Sequence, residues 1–363
     1  QFTVVIALIA CATVMLRQIH FLQKKDLGFD KEGVLTAVFN FGDEAKYNTL
    51  KQELLQNTLV SSVSVASRIP SGSLNNQGGI LPEGQTDPII IPYVHVTFDY
   101  FRTLGIEPVQ GRLFSDQFMT DTTESIILNQ SAVSFLGLIG DPIGQTIKCG
   151  WPRSTRKVVG IIDDIHFESL HSKVKPVVYV IDYKEAYHII VKVNPSDVLT
   201  SKDAITKVCK SIYPNEVIEF TFLDQIMEQR YQKDSKTFQL MEFFALLAIF
   251  LSCMGLLGMA SFIMTSKTKE IGIRKVNGST VFEIMQLLNK NFVRWIVTSF
   301  IIATPIAYYS MDKWLETFAY NTDLSWWIFA LAGLLALGIA MITVSWQSWR
   351  AATRNPVEAL RYE

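Results

Sequence analysis

The sequence predicts a membrane protein of four transmembrane α-helices, the first one truncated, with a large α+β domain outside the membrane. That domain is expected to hold two βαβ-like units and a β-rich insertion. Three observations lead there. Only 18% of the 363 residues are charged and 49% are hydrophobic, against roughly 25% charged in soluble domains. The apolar excess, which lifts the mean hydropathy to +0.23, is gathered into four runs rather than spread. Between the first two runs lies a long polar stretch that alternates strand-like and helix-like patterns. The 33 Lys+Arg against 34 Asp+Glu leave a net charge of −1, which excludes a phosphate-neutralising nucleic-acid binder. Ample aromatic and aliphatic surface excludes a disordered chain.

The first run, Gln1 to Leu16, has no charge. At ~1.5 Å per residue it covers about 24 Å of a ~30 Å hydrocarbon core, so it reads as a membrane helix cut short, over 1–16. A signal peptide fits less well, because no basic leader and no small-residue cleavage site are visible. The second run, 243–265, is uncharged and long enough to span. The third is read over 292–311 and the fourth over 324–346. Trp326 and Trp327 at one end of the fourth run, and Trp346 and Trp349 at the other, suit aromatic belts. Gly255 and Gly258, and Ala332, Ala336 and Ala340 at four-residue spacing, are expected to let membrane helices approach each other. Apart from Arg294 at the edge of the third, the runs hold no Asp, Glu, Lys, Arg or His, which argues against an ion or proton pathway.

Charge in the short loops sets the orientation. Lys267, Lys269, Arg274, Lys275, Lys290 and Arg294 face only Glu270 and Glu283 in the loop after the second run. The tail carries Arg350, Arg354 and Arg361, whereas the hairpin between runs three and four has Lys313 against Asp312, Glu316 and Asp323. The basic loop and the tail are therefore cytoplasmic. The hairpin and the stretch from about 17 to 240 lie outside. Arg17, Lys24 and Lys25 sit on the wrong side for a naive count, which a large translocated domain tolerates.

Within the outer domain, Val34 to Asn40 reads as a strand, Asp43 to Gln56 as an amphipathic helix and Val60 to Ile69 as a second strand. The pattern recurs with strand His188 to Val193, helix Ser196 to Ile212 and strand Val217 to Phe222. These two βαβ-like units bracket a turn-rich insertion, about 71–186. Beyond Phe222 the chain lacks Pro and Gly as far as the second run, so one helix is expected to rise from the domain into the membrane. Of the four cysteines, Cys11 and Cys253 lie in apolar runs. Cys149 and Cys209 lie in the outer domain, where a disulfide stays open and two free thiols are the favoured reading.

Catalytic signatures are missing. No Walker A sequence or GxSxG motif occurs. The cluster Asp163, Asp164, His166, Glu168 and His171 tempts a metal reading, but the histidines are five apart, off a common helical face. The favoured reading is a strand exit whose side chains bond to the local backbone, with no metal and no catalytic residue. The segment from Ser266 to Thr280 is more informative. It reads as a short basic helix that stops at Asn277-Gly278, after which Thr280 and Glu283 form a capping box for the next helix. Such a helix either rests on anionic lipid or docks a cytoplasmic partner.

KEIGIRKVNGST (269–280) after a membrane span, with NPVEALRYE (355–363) at the end, resembles the FtsX-like/MacB-type ABC transporter permease family. The outer part is similar to the MacB-like periplasmic core domain, on ESIILNQSAV, GDPIGQTI, VVGIIDDIHFESLH and FTFLDQ. FLQKKDLGFDKEGVL is in the style of Bacteroidetes permeases. Asn277 departs from the small apolar residue frequent in the family. The resemblance implies a core domain over 17–240 and an FtsX-like permease domain over 241–363, with a coupling segment at 266–290. It places the ATPase contact at Lys269, Glu270, Ile271, Gly272, Ile273, Arg274 and Lys275. It implies a non-catalytic subunit of the bacterial inner membrane, without a cofactor of its own, whose ATP is bound by a separate cytoplasmic ABC ATPase. A homodimer partner or a second permease half, the lipid bilayer and a periplasmic adaptor are the other implied partners, and nucleic acid is not one. The implied work is export or extraction of a substrate by mechanotransmission. The alternative is a scaffold that controls a periplasmic envelope enzyme. The substrate is not legible.

Overall fold

The computed structural model describes residues 2–40, 44–150, 153–168, 172–194, 198–267, 270–271, 273–274 and 277–353. The chain divides into two compact units, one of residues 1–24 with 233–363, the other Lys25–Gln232.

The second unit is built on interleaved strand–helix–strand pairs. Strand β1 (Val34–Val38), helix α2 (Glu44–Leu55) and strand β2 (Val60–Ala66) make the first pair, with α1 the N-terminal helix described below. Strand β10 (His188–Val193), helix α6 (Val198–Ile212) and strand β11 (Thr221–Phe222) make the second. The sheet order is β11-β1-β10-β2 with every neighbour antiparallel. Each βαβ is therefore split by a strand of the other, the ferredoxin-like arrangement. Alternation explains the layering. Leu35, Ala37, Val63, Val65, Ile189, Val191 and Val193 face one way. Against them pack Tyr47, Leu50 and Leu54 of α2 and Ile205 and Cys209 of α6, at helical spacing. The expected strand at Val217 to Phe222 shrinks to two paired residues. Ile218 and Phe220 are buried, while Val217 is exposed. Side-chain anchoring thus replaces the ladder, and a short edge resists pairing with another chain.

The insertion closes on itself. It contains β3 (Gln77–Pro82), β4 (Ile89–Val96), α3 (Tyr100–Thr103), β5 (Pro108–Gly111), α4 (Asp121–Glu124), β6 (Ser125–Asn129), α5 (Gln130–Phe135), β7 (Thr146–Gly150), β8 (Arg153–Ile162) and β9 (Val178–Ile181). Pairings run β4-β3-β7-β8-β6-β9 and return from β9 to β4. A closed ring removes the free edges that a small sheet would otherwise expose. One pair, Ala66 with Val96, joins it to the ferredoxin-like sheet. β5 crosses β8 where two glycines meet, Gly111 opposite Gly160. A Cβ on Gly160 would lie 2.0 Å from the Arg112 carbonyl oxygen. Gly160→Ala is expected to detach β5 and destabilise the domain by roughly 2–3 kcal/mol. Urea-dependent proteolysis of the full-length chain measures this, and an unchanged midpoint would refute the close approach.

The other unit holds α1 (Phe2–Lys24), most of α7 (Leu223–Ser266), α8 (Val281–Leu315) and α9 (Trp326–Thr353). Among the described residues, four stretches are long and apolar enough to cross a bilayer: Phe2–Leu22, Glu242–Ile263, Phe292–Leu315 and Trp326–Trp346. The first runs beyond the expected 1–16. Its helix continues through Arg17 and Gln18 because both side chains find partners at the end of the bundle. α1, α8 and α9 pack together around Ala10, Ala307, Phe329 and Ala332 at mid-depth. Val14, Met15, Met311 and Ile328 pack nearer one end, and Ile6, Ala303, Ala336 and Ala340 nearer the other. Among the described side chains of α7, Leu256 and Ala260 join the buried cluster, while Phe243, Phe250 and Phe262 are exposed. α7 is one unbroken helix of 44 residues.

Candidate functional site

The basic segment between the second and third spans has two faces. Residues 270, 271, 273 and 274 are helical. Ile271 is buried in the cluster of Ile6, Leu256, Ile284 and Phe292. Ile273 and Arg274 point outward, Ile273 at 49% exposure. Glu270 pairs with Arg274 at 3.0 Å and with Lys267 at 3.5 Å. Such exposed pairs add only tenths of a kcal/mol, so Ile271 is the main anchor. The helix stops as its residues direct. Gly278 takes φ +90, a conformation costly for any residue with a Cβ. The Ser279 N–H then donates to the Arg274 carbonyl at 3.0 Å. Thr280 accepts from the Glu283 N–H at 3.3 Å, and the Glu283 carboxylate accepts from the Thr280 N–H at 3.0 Å. Anchor, stop and cap hold Ile273 and Arg274 as a short outward ridge. Lys269, Gly272 and Lys275, and the tail motif at 355–363, lie outside the described residues.

Of the expected packing residues, Ala332, Ala336 and Ala340 are buried in the bundle. Gly255 is half-buried, and Gly258 is exposed with nothing near it. Gly333 is the glycine in tight contact, since a Cβ there would come within 2.5 Å of the Phe300 ring. Its place inside the alanine stripe was the available signal.

Two polar residues at the other end of the bundle were not foreseen. Gln18 is fully buried. Its Nε2 donates to the Tyr320 carbonyl at 2.8 Å, and its Oε1 accepts from the Thr322 N–H at 2.9 Å. Arg17 lies 5.7 Å from the Trp327 ring centroid and donates to the Asp323 carbonyl and the Ser325 hydroxyl. Together they tie α1 to the α8–α9 hairpin. Periodicity cannot reveal such a clamp, because the partners are some 300 residues away. Gln18→Leu removes both of these bonds and is expected to cost roughly 1–3 kcal/mol. Thermal unfolding in detergent reads this loss, and an unchanged midpoint would exclude the clamp.

The acidic–histidine cluster is held in local bonding. The Asp163 carboxylate accepts from the Asp164 N–H at 2.7 Å. The Asp164 carboxylate accepts from the Ser131 N–H and hydroxyl at 2.9 and 2.6 Å. Glu168 pairs with Lys175 at 2.8 Å. The His166 N–H donates to the Leu27 carbonyl at 3.1 Å. Burial, with Lys25 nearby, pushes the His166 imidazole below its usual range. His171 lies outside the described residues, among which no group of three metal-ligating side chains forms. Cys149 and Cys209 are free and buried. Burial pushes the Cys209 thiol up to about 12, and raises Cys149 as well, so neither is a nucleophile at neutral pH.

Comparison with known families decides what this architecture is. The model for the MacB-like periplasmic core domain matches residues 2–208, over half of the chain, and that for the FtsX-like permease C-terminal matches 242–356. The chain belongs to the MacB-like, FtsX-like permease family. The macrolide export ATP-binding/permease protein MacB of Sodalis glossinidius (strain morsitans) is 24% identical over 287 residues, 75% of this chain and 44% of the relative. That of Aggregatibacter actinomycetemcomitans is 22% identical over 263 residues, 69% of this chain and 40% of the relative. This permease thus spans less than half the length of the curated relatives it matches. Among solved structures, the periplasmic region of MacB from Actinobacillus actinomycetemcomitans aligns with a TM-score of 0.41 at 14% identity, over 55% of this chain and 93% of that one. The extracellular domain of the noncanonic ABC-type transporter YknZ from Gram-positive bacteria aligns at 0.38 and 11%, over 52% and 99%. The unit Lys25–Gln232 falls almost wholly in the permease's periplasmic core domain, and the basic segment follows the second candidate span in the sequence.

Proposed function

We propose that this permease is the non-catalytic membrane subunit of an ABC transporter. In this reading a separate cytoplasmic ATPase docks on the ridge of Ile273 and Arg274, in the segment 269–275 of the inner membrane's cytoplasmic face. The observation that carries it is the two-faced helix: Ile271 ties it to the bundle and the outward ridge stays open to a partner. Movement of that helix would pass into α7, which as a continuous helix of 44 residues extends about 66 Å at ~1.5 Å per residue. No proline interrupts α7 and it stays helical through Gly255 and Gly258, which supports mechanotransmission to the periplasmic domain for export or extraction of a substrate. In this reading ATP is bound by the partner. A second permease copy or half completes the transporter.

The test is purification of the full-length chain from its native membrane in mild detergent, with the eluate assayed for an ABC ATPase and for ATP hydrolysis. Co-purification of both is expected. A periplasmic hydrolase in the eluate, with no ATPase under several detergents, would overturn the reading in favour of a scaffold that controls an envelope enzyme.

A further inference from the structure

A groove of about 470 Å³ opens between α8 and α9 at the cytoplasmic end of the bundle, within the size range of ligand pockets. Its character changes along its length. Val293 and Met341 line it from within the two spans, and Met285 extends that wall. Gln286, Asn289 and Lys290 line it just before the third span begins. Asn289 is buried, and its Nδ2 donates to Ser345 Oγ at 3.0 Å across the groove, so the polar end is held in place. Lys290 is exposed and forms no ion pair among the described residues. Arg294 stands one helical turn further on. The exposed ring of Trp346, the last residue of the fourth span, marks the interface level on α9.

An apolar trough that turns cationic where hydrocarbon meets water matches an amphiphile with an anionic head. A soluble anion would leave the apolar wall uncovered. A zwitterionic lipid would leave the Lys290 charge only partly compensated. Basic recesses between membrane helices on the cytoplasmic side favour anionic headgroups. We propose that this groove is a binding site for an anionic phospholipid of the cytoplasmic leaflet. Its phosphate is held at Lys290 beside Asn289 and Gln286, and one acyl chain lies along Met285, Val293 and Met341. The site does not depend on ATPase docking, since it shares no residue with the Ile273–Arg274 ridge.

Native mass spectrometry of the full-length chain tests it, with phosphatidylglycerol and phosphatidylcholine titrated separately. Phosphatidylglycerol is expected to bind at least about fivefold more tightly, the factor given by ~1 kcal/mol per basic residue near the surface. Lys290→Gln should erase that preference. Met341→Trp fills the apolar wall and should remove the tight adduct with helix content unchanged. A wild type without headgroup preference, or both variants binding phosphatidylglycerol like the wild type, would overturn the site. Equal thermal stabilisation by inorganic phosphate alone would replace the lipid with a simple anion and overturn it too.

Discussion

Ile273→Asp combined with Arg274→Glu is expected to separate the permease from its ATPase, lowering chain-dependent ATP hydrolysis by at least about 30-fold. The magnitude follows from the ridge's geometry. Both side chains point outward, and an apolar–cationic pair at the centre of a contact is the kind of anchor whose loss costs ~2 kcal/mol or more. The fold has little reason to suffer. The exchange breaks only the exposed Glu270–Arg274 pair and leaves Ile271, Gly278 and the Thr280 cap intact. Ile271→Ala gives the opposite signature. It opens a cavity beneath the helix and is expected to lower bundle stability by about 2–4 kcal/mol, while the folded fraction still carries its ATPase. Hydrolysis assays on co-purified complexes, paired with thermal unfolding in detergent, distinguish the two. A double variant that hydrolyses ATP like the wild type would place the contact elsewhere.

Asp121→Ala is expected to cost the periplasmic domain about 2–4 kcal/mol. The carboxylate is fully buried. It accepts two bonds from the Arg112 guanidinium at 2.6 and 2.8 Å, one from the Ser125 hydroxyl at 2.6 Å and one from the Ser115 N–H at 3.1 Å. Removing one partner of a buried pair costs ~3–5 kcal/mol. Arg112 is 38% exposed and can recover some hydration, which trims that range. The same site sets an acid response. Burial alone would raise the Asp121 carboxyl, but the Arg112, Ser125 and Ser115 hydrogen bonds and the Arg112 charge outweigh it and hold it below its usual value. A depressed folded value means the contribution is complete above the unfolded value, ~3.9, and is lost as pH falls through the folded one. Wild type should therefore lose stability below about pH 4 more steeply than Asp121→Ala. Urea melts between pH 3 and 6 measure this, and parallel curves would show that the carboxylate does not titrate with folding.

Local chemistry was legible wherever a residue acts on its own neighbours. The Asn277-Gly278 stop and the Thr280–Glu283 box need only residues a few positions apart, and they stand as the sequence indicates. The βαβ periodicities located strands and helices to within a few residues, because alternation and 3.6-residue spacing are read along the chain. The pairing of Asp121 with Arg112 left no such mark. Nor did the close meeting of Gly111 and Gly160, since each depends on a partner that only the fold brings near.

The sequence by itself determined the apolar runs, the two βαβ patterns and the family, through composition and short motifs. Tertiary structure alone decided four further things. It interleaved the two βαβ units into one sheet and closed the insertion into a ring of strands. It carried the first span past Arg17 to Leu22, because Gln18 and Arg17 meet the distant hairpin. It divided the basic segment after the second span into a buried Ile271 and an outward Ile273–Arg274 ridge. The physical reason is common to all four. Strand order, burial and the satisfaction of a polar group are properties of pairs. A linear pattern records which residues want a partner, but not which partner the folded chain supplies.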